Sequence, residues 1–116
     1  MLMPDPLSQT FSALADPTRR AILAELARGE RTVNQLVEGR GMSQPAISKH
    51  LKVLQRAGLI ERGREAQTRP CRIVPEGLEV ARRWIDRCRA DWEEAFGRMD
   101  ALLAAMPARQ GEGDQP

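Results

Sequence analysis

The sequence has few of the residues that several classes of protein require. It contains no tyrosine, two phenylalanines, two tryptophans, one histidine and two cysteines in 116 residues. Two cysteines are too few for the disulfide framework of a small secreted domain. No run of about eighteen apolar residues is present to span a membrane, and the N-terminus lacks the pattern of a secretory signal. We therefore expect one domain in the cytoplasm, without membrane contact.

Features of catalytic sites are also missing. We find no glycine-rich phosphate loop and no nucleophile elbow. The single histidine, His50, is not paired with a candidate catalytic cysteine. The acids near the C-terminus, such as Asp86, Glu93 and Glu94, fit solvated positions of a helix better than a paired catalytic site. We predict that the protein is not an enzyme and uses no cofactor.

Charge is distributed unevenly along the chain, although the net charge is only +2. Residues 43–75 hold seven lysines and arginines against two glutamates, for a net charge of +5. Residues 1–42 are neutral, and residues 76–106 carry −2. A basic middle segment between neutral and acidic segments indicates either a localised surface for a polyanion or ordinary clustering of solvated charges.

Local signals predict four short helices in the first half of the chain. The first runs from Leu7 to Leu14. The other three begin after Asp16, Thr32 and Ser43, because each of these side chains can accept a hydrogen bond from a free N–H at a helix start. The glycine-containing turn at residues 39–41 separates the third helix from the fourth, which is typical of a helix-turn-helix.

The period of the pattern changes after the fourth helix. Residues 59–65 and 70–74 predict a two-stranded hairpin, and a long helix is predicted from Pro75 to about Met106. The resulting fold class is mainly α with a small β-hairpin, a winged helix-turn-helix. We expect residues 7–106 to form the domain, between a disordered N-terminus at 1–6 and a disordered tail at 107–116.

The fourth helix has the distribution of residues that a DNA-reading helix needs. Ile47, Leu51 and Leu54 form one apolar stripe, and polar or basic residues occupy the other side. Short polar side chains at the N-terminal end can reach base edges, and lysines can neutralise phosphates. A merely solvated amphipathic helix is the alternative. The predicted DNA contacts on this helix are Ser43, Gln44, Pro45, Ser48, Lys49, His50 and Lys52, and those on the hairpin are Arg62, Arg64, Gln67 and Arg69. His50 lies at the shoulder of the apolar stripe, so a packed position is as acceptable as a DNA contact.

The last helix carries an apolar seam with a period near 3.5 residues. The seam either covers the core of its own domain or packs against a second copy. A helix of about thirty residues extends about 45 Å, which exceeds the size of a body of this length. We therefore predict a homodimer through the first and last helices. The predicted interface residues are Leu7, Phe11, Ile85, Cys88, Trp92, Phe96, Met99 and Leu102.

Two segments resemble the ArsR/SmtB family of transcriptional regulators. They are residues 11–26, FSALADPTRRAILAEL, and residues 42–60, MSQPAISKHLKVLQRAGLI. The resemblance implies a homodimeric winged helix that binds double-stranded DNA, represses its operator, and releases it on a signal. It also implies that Ser43, Gln44, Ser48 and His50 lie in the DNA-reading segment.

The signal that would release the DNA is less defined. The family's metal-sensing members carry a Cys-x-Cys motif in the third helix or Asp/His pairs in the last, and neither is present here. We therefore expect no metal and consider a small-molecule inducer. Cys71 and Cys88 could form a redox switch, although a buried structural cysteine is commoner. A second function, a protein-interaction module whose basic face binds an acidic partner, remains open at this point.

Overall fold

The computed structural model describes residues 5–63 and 70–107. Within these two ranges, five α-helices and one hairpin follow each other. They are α1 (Pro6–Leu14), α2 (Pro17–Leu26), α3 (Val33–Val37), α4 (Gln44–Arg56), β1 (Ile60–Arg62), β2 (Cys71–Ile73), a 3₁₀ turn (Pro75–Leu78) and α5 (Glu79–Ala105). This order is the predicted winged helix-turn-helix, so the predicted fold class is confirmed.

Side-chain caps define the starts of the first four helices. Asp16 accepts a hydrogen bond from the backbone N–H of Arg19 at 3.0 Å, and Ser43 accepts one from Ala46 at 3.2 Å. Thr32 and Gln35 form a reciprocal capping box at the start of α3. These bonds satisfy N–H groups that have no partner inside the helix.

The start of α1 lies one residue earlier than predicted. Asp5 accepts a bond from the backbone N–H of Ser8 at 2.8 Å, and Pro6 is the first helical residue. Residues 5 and 6, which the sequence placed in the N-terminal segment, are the cap and the first residue of α1 in the structure. An aspartate followed by proline is itself a helix-start signal, because proline lacks the N–H that would need a partner there.

The core is aliphatic and is built around α4. Ile47, Leu51 and Leu54 are completely buried, as predicted for the apolar stripe of this helix. They belong to one cluster with buried residues from α1, α2, α3 and the hairpin: Ala13, Ile22, Leu23, Leu26, Val33, Leu36, Leu59, Ile60 and Cys71. Because its inner face is locked into this cluster, α4 presents the opposite face to solvent.

Within the described residues, the strands of the hairpin cover 60–62 and 71–73, and the hairpin is joined to the helical part. β1 and β2 pair antiparallel, with Glu61 opposite Arg72 and Arg62 opposite Cys71. Cys71 also exchanges two backbone hydrogen bonds with Arg31, at 2.7 and 3.1 Å. The side of the hairpin that carries Ile60 and Cys71 is buried, whereas Glu61 and Arg72 face solvent.

The last helix begins differently from the prediction. A 3₁₀ turn occupies residues 75–78, and the α-helix starts at Glu79. Gly77 packs against the backbone of Gly58 and Leu59 so closely that no side chain fits between them. The 3₁₀ turn thus lies in close contact with a segment nearly twenty residues earlier in the chain. No helix among the described residues is long and apolar enough to cross a membrane.

The chain divides into two units, Met1–Arg83 and Trp84–Pro116. The first unit contains the core, the helix-turn-helix and the hairpin. The described part of the second unit is the remainder of α5 with Met106 and Pro107.

Candidate nucleic-acid interface

The solvent face of α4 carries a row of basic side chains. Lys49, Lys52 and Arg56 are exposed, on the side opposite the buried stripe. Among the described residues, none of the three forms an ion pair. The positive charges of this row are therefore available to a polyanion, since within residues 5–63 and 70–107 no carboxylate has to be displaced first.

The N-terminal end of α4 is exposed and polar. Ser43, Gln44 and Pro45 are exposed, and Ser48 is half-buried one turn further along. A helix start also has the positive end of the helix dipole and unpaired N–H groups. The structure thus brings the predicted base-contacting residues together at one end of the basic row.

His50 is turned away from that row. Its side chain is 19% exposed, and its Nδ1 lies 3.3 Å from a guanidinium nitrogen of Arg19 and 3.9 Å from a carboxylate oxygen of Asp16. Of the two readings that the sequence left open for His50, the geometry shows the packed one.

The hairpin has its arginines in two different environments. Arg72 forms an ion pair with Glu61, its cross-strand neighbour. Arg62 is half-buried beside the Cys71 thiol, and its Nε has no hydrogen-bond partner among the described residues. The inward position of Arg62 differs from the solvent-facing one that the sequence predicted, because Arg62 shares the buried side of β1 with Ile60. The predicted contacts Arg64, Gln67 and Arg69 lie outside the described residues.

The cysteines are in unlike surroundings. Cys71 is completely buried in the core, and burial raises the pKa of its thiol above the ordinary value, although the nearby Arg62 acts in the opposite direction. Cys88 is half-buried in α5, and neither cysteine is in a disulfide. Since the thiolate is the reactive form, the environment of Cys71 disfavours reactivity. Within residues 5–63 and 70–107, no group of three His, Cys, Asp or Glu side chains could hold a metal ion.

The predicted interface residues of α5 form an exposed apolar stripe within the second unit. Its members in the prediction are Ile85, Trp92, Phe96, Met99 and Leu102, and Leu103 and Met106 extend it. Cys88, Leu7 and Phe11 are half-buried. On α1 the fully buried residues are Thr10 and Ala13, and the Thr10 hydroxyl donates to the carbonyl oxygen of Pro6 at 3.0 Å.

Sequence reasoning did not anticipate the contact that Arg19 makes with α4. Arg19 lies in the segment Asp16-Pro17-Thr18-Arg19, whose sequence indicates only a helix start. The available signal was the spacing, since a side chain in the first turn of a helix can turn back onto the end of the preceding helix. Its partner on α4 is 31 residues away in the chain, which no local pattern indicates.

Two capped helices joined by a turn, a basic exposed face on the second helix and a hairpin directly after it define a winged helix-turn-helix DNA-binding protein. The profile described as "Bacterial regulatory protein, arsR family" matches residues 16–62, the segment from the start of α2 to the end of β1. The chain belongs to the ArsR family. It is a DNA-binding transcriptional regulator and not an enzyme.

Relatives identified by sequence agree with this assignment. The chain is 40% identical over 79 residues to the HTH-type transcriptional regulator Rv2034 of Mycobacterium tuberculosis, covering 68% of this chain and 74% of that protein. It is 39% identical over 61 residues to the transcriptional repressor SdpR of Bacillus subtilis, covering 53% of this chain and 68% of SdpR. These relatives favour the regulator over the protein-interaction module that the sequence had left open.

Solved structures show the same fold. A crystal structure of an ArsR-family transcriptional regulator is similar with a TM-score of 0.73 and 36% identity, covering 77% of this chain and 98% of that one. The homodimeric winged helix-turn-helix DNA-binding domain of Mb0332 from Mycobacterium bovis is similar with a TM-score of 0.57 and 30% identity, covering 81% and 84%.

Proposed function

We propose that the chain is a repressor that binds an inverted-repeat operator as a homodimer, with α4 of each copy in a major groove. The observation that carries this proposal is the two-sided character of α4. Ile47, Leu51 and Leu54 are completely buried, whereas Gln44, Lys49 and Lys52 are exposed on other sides of the helix. The rigid inner face orients the outer one.

The roles along α4 follow from the chemistry of the side chains. Gln44 can form a bidentate pair with adenine, and the Ser43 and Ser48 hydroxyls can bond several bases. The ring of Pro45 can rest against a thymine methyl group. Lys49 and Lys52 contact phosphates, which positions the helix without specifying sequence.

A second copy is needed because α5 exposes an apolar stripe that one chain leaves open. The helix has 27 residues, or about 40 Å at 1.5 Å per residue. Large apolar side chains that line up on an exposed helix face mark an interaction surface. Support for self-association comes from the homodimeric Mycobacterium bovis domain, to which the chain is similar. Two-fold symmetry would place two reading helices about 34 Å apart, one turn of DNA.

Repression and its release complete the proposal. The relative SdpR is named a transcriptional repressor, and a dimer seated on an operator blocks transcription by occupying it. A small-molecule inducer fits the same scheme, because a cleft of about 320 Å³ in the first unit gives access to α4. It is lined by Ser8, Gln9, Ser12, Val53, Arg56 and Ala57.

The test is selection of bound sequences from random DNA with the purified protein, which we expect to yield a palindrome. Gln44→Ala should then reduce the preference for the selected operator over random DNA by about 5- to 150-fold, the value of one good bidentate pair. Lys49→Ala should weaken binding to both DNAs equally and lower the salt slope by about one unit.

Gln55→Ala is the matched control, since Gln55 is exposed on the same helix but at its far end. The preference of this variant for the operator over random DNA should stay within about twofold of that of the unmutated protein. Selection that returns no palindrome, or equal losses on operator and random DNA for Gln44→Ala, would contradict the proposal.

A further inference from the structure

The only histidine of the chain joins the reading helix to the turn between α1 and α2. His50 Nδ1 lies 3.3 Å from a guanidinium nitrogen of Arg19. A guanidinium can only donate hydrogen bonds, so this pair is a hydrogen bond in the tautomer whose Nδ1 accepts and whose ring proton is on Nε2. The Asp16 carboxylate lies 3.9 Å from the same Nδ1, beyond hydrogen-bond distance.

Arg19 is held in place by bonds that do not involve α4. Its Nε donates to the carbonyl oxygen of Ala13 at 2.8 Å, and one terminal nitrogen donates to that of Ser12 at 3.0 Å. These carbonyls belong to the last turn of α1, and the carbonyl oxygen of Ser12 also accepts a hydrogen bond from the backbone N–H of Ala15 at 3.2 Å. The guanidinium plane is thus fixed on α1, and its remaining terminal nitrogen reaches His50. Because the guanidinium is planar and two of its nitrogens are hydrogen-bonded to α1, the direction of the N–H bonds of the third nitrogen is also defined.

We propose that His50 is a positioning residue for DNA recognition, which acts through Arg19 by fixing the rotation of α4 against the α1–α2 turn. The inference rests on the proposed reading role of α4 and deepens it. It removes His50 from the residues that contact DNA directly and adds Arg19 to the recognition machinery.

The geometry explains why one hydrogen bond at this point matters. With a radius of about 5 to 6 Å including side chains, rotating α4 by about 10° shifts its outer atoms by about 1 Å. Bidentate contacts require placement within about 0.5 Å. The buried stripe resists large rotations, but aliphatic contacts are non-directional and tolerate small ones. The Arg19–His50 bond is directional and lies on the flank of α4, between the buried stripe and the basic row. It therefore restricts the small rotations of α4 that the aliphatic contacts permit.

The test compares four variants with the parent: Arg19→Ala, His50→Ala, the double variant, and His50→Asn. For each, the dissociation constants for the selected operator and for random DNA are measured at several salt concentrations. We expect each alanine variant to lose operator affinity about tenfold, as for a hydrogen bond to a charged group. Random-DNA affinity and the salt slope should stay unchanged, because no phosphate contact is lost.

Two further results separate positioning from direct contact. The double variant should be no weaker than the worse single one, because both changes remove the same bond. His50→Asn should recover most of the affinity, since its amide oxygen can occupy the place of Nδ1. If His50 contacts DNA directly, the opposite results are expected. The losses of operator affinity in the two alanine variants should then add in the double variant, and His50→Asn should not restore the affinity. His50→Ala should also lower the salt slope, or it should be the only single variant with an effect.

Separate controls test whether the variants fold and whether α4 reads DNA as proposed. Arg19 also binds the end of α1, so Arg19→Ala is first checked by thermal unfolding. If it does not fold, the comparison of His50→Ala with His50→Asn decides, and equal affinities of the two overturn the proposal. If Gln44→Ala reduces discrimination while the Arg19 and His50 variants do not, only the positioning role fails. If Gln44→Ala also has no effect, the reading role of α4 fails.

Discussion

Replacing Trp92 on α5 tests the association of two copies most directly. The side chain is 66% exposed in the single chain and lies in the middle of the apolar stripe. Trp92→Ala removes the largest member of the stripe. Because little of this side chain is buried in one chain, the truncation should leave the fold of the first unit unchanged.

The size of the effect follows from the exposed area. A tryptophan offers up to about 250 Å² to a partner, so two thirds exposure leaves about 160 Å² to be covered. At about 25 cal/mol per Å², covering it contributes about 4 kcal/mol per chain and about 8 kcal/mol per symmetric dimer. If only half of this area is covered, the truncation still costs about 4 kcal/mol, or roughly a thousandfold in the dimer Kd.

Sedimentation equilibrium over a range of protein concentrations measures this Kd. Arg87→Ala is the matched control, because Arg87 is an exposed long side chain on the same helix, outside the apolar stripe. We expect its dimer Kd to stay within about twofold of the parent. A parent protein that remains monomeric, or a Trp92→Ala variant that dimerises as tightly as the parent, would refute the assignment of this stripe to the dimer.

Two further predictions concern stability. Gly77→Ala should lower the free energy of unfolding by at least about 2 kcal/mol, because the added methyl group would overlap the carbonyl group of Gly58. In Gly97→Ala the added methyl group has no atom within 4 Å. This change should instead raise the free energy of unfolding by about 0.5–1 kcal/mol. Urea unfolding measures both, and equal effects of the two changes would contradict the close contact. The hydrogen bond from the Arg19 backbone N–H lowers the pKa of Asp16 in the folded state. The stabilising contribution of the Asp16 carboxylate is therefore complete above the pKa of the unfolded state, near 4. It is lost as the pH falls through the lower pKa of the folded state. The thermal midpoint should therefore decline below about pH 4, and less steeply in Asp16→Asn, which keeps a good cap without a titrating group; an identical acid profile of both proteins would argue against this role of Asp16.

Helix starts and the orientation of α4 could be predicted because they depend on short-range chemistry. The caps at Asp16, Thr32 and Ser43 each bond a backbone N–H three residues ahead. The stripe of Ile47 and Leu51 repeats with the helical period, so its burial follows from the pattern alone.

Other features could not be predicted because they depend on residues distant in the chain. The inward position of Arg62 follows from the pairing of β1 with β2, which places it opposite Cys71. The 3₁₀ turn before α5 contains Gly77, which lies close to Gly58, and neither segment alone indicates that the two meet.

The sequence by itself determined that the chain would form a winged helix-turn-helix with a basic, polar face on α4, because propensity, capping and periodicity act within a few residues. Only the tertiary structure decided where the His50 side chain lies. Its position at the shoulder of the apolar stripe was compatible with packing or with DNA contact. The packing of α4 against the α1–α2 turn brings Arg19 to its Nδ1, and the direction of that hydrogen bond exists only once the helices are assembled.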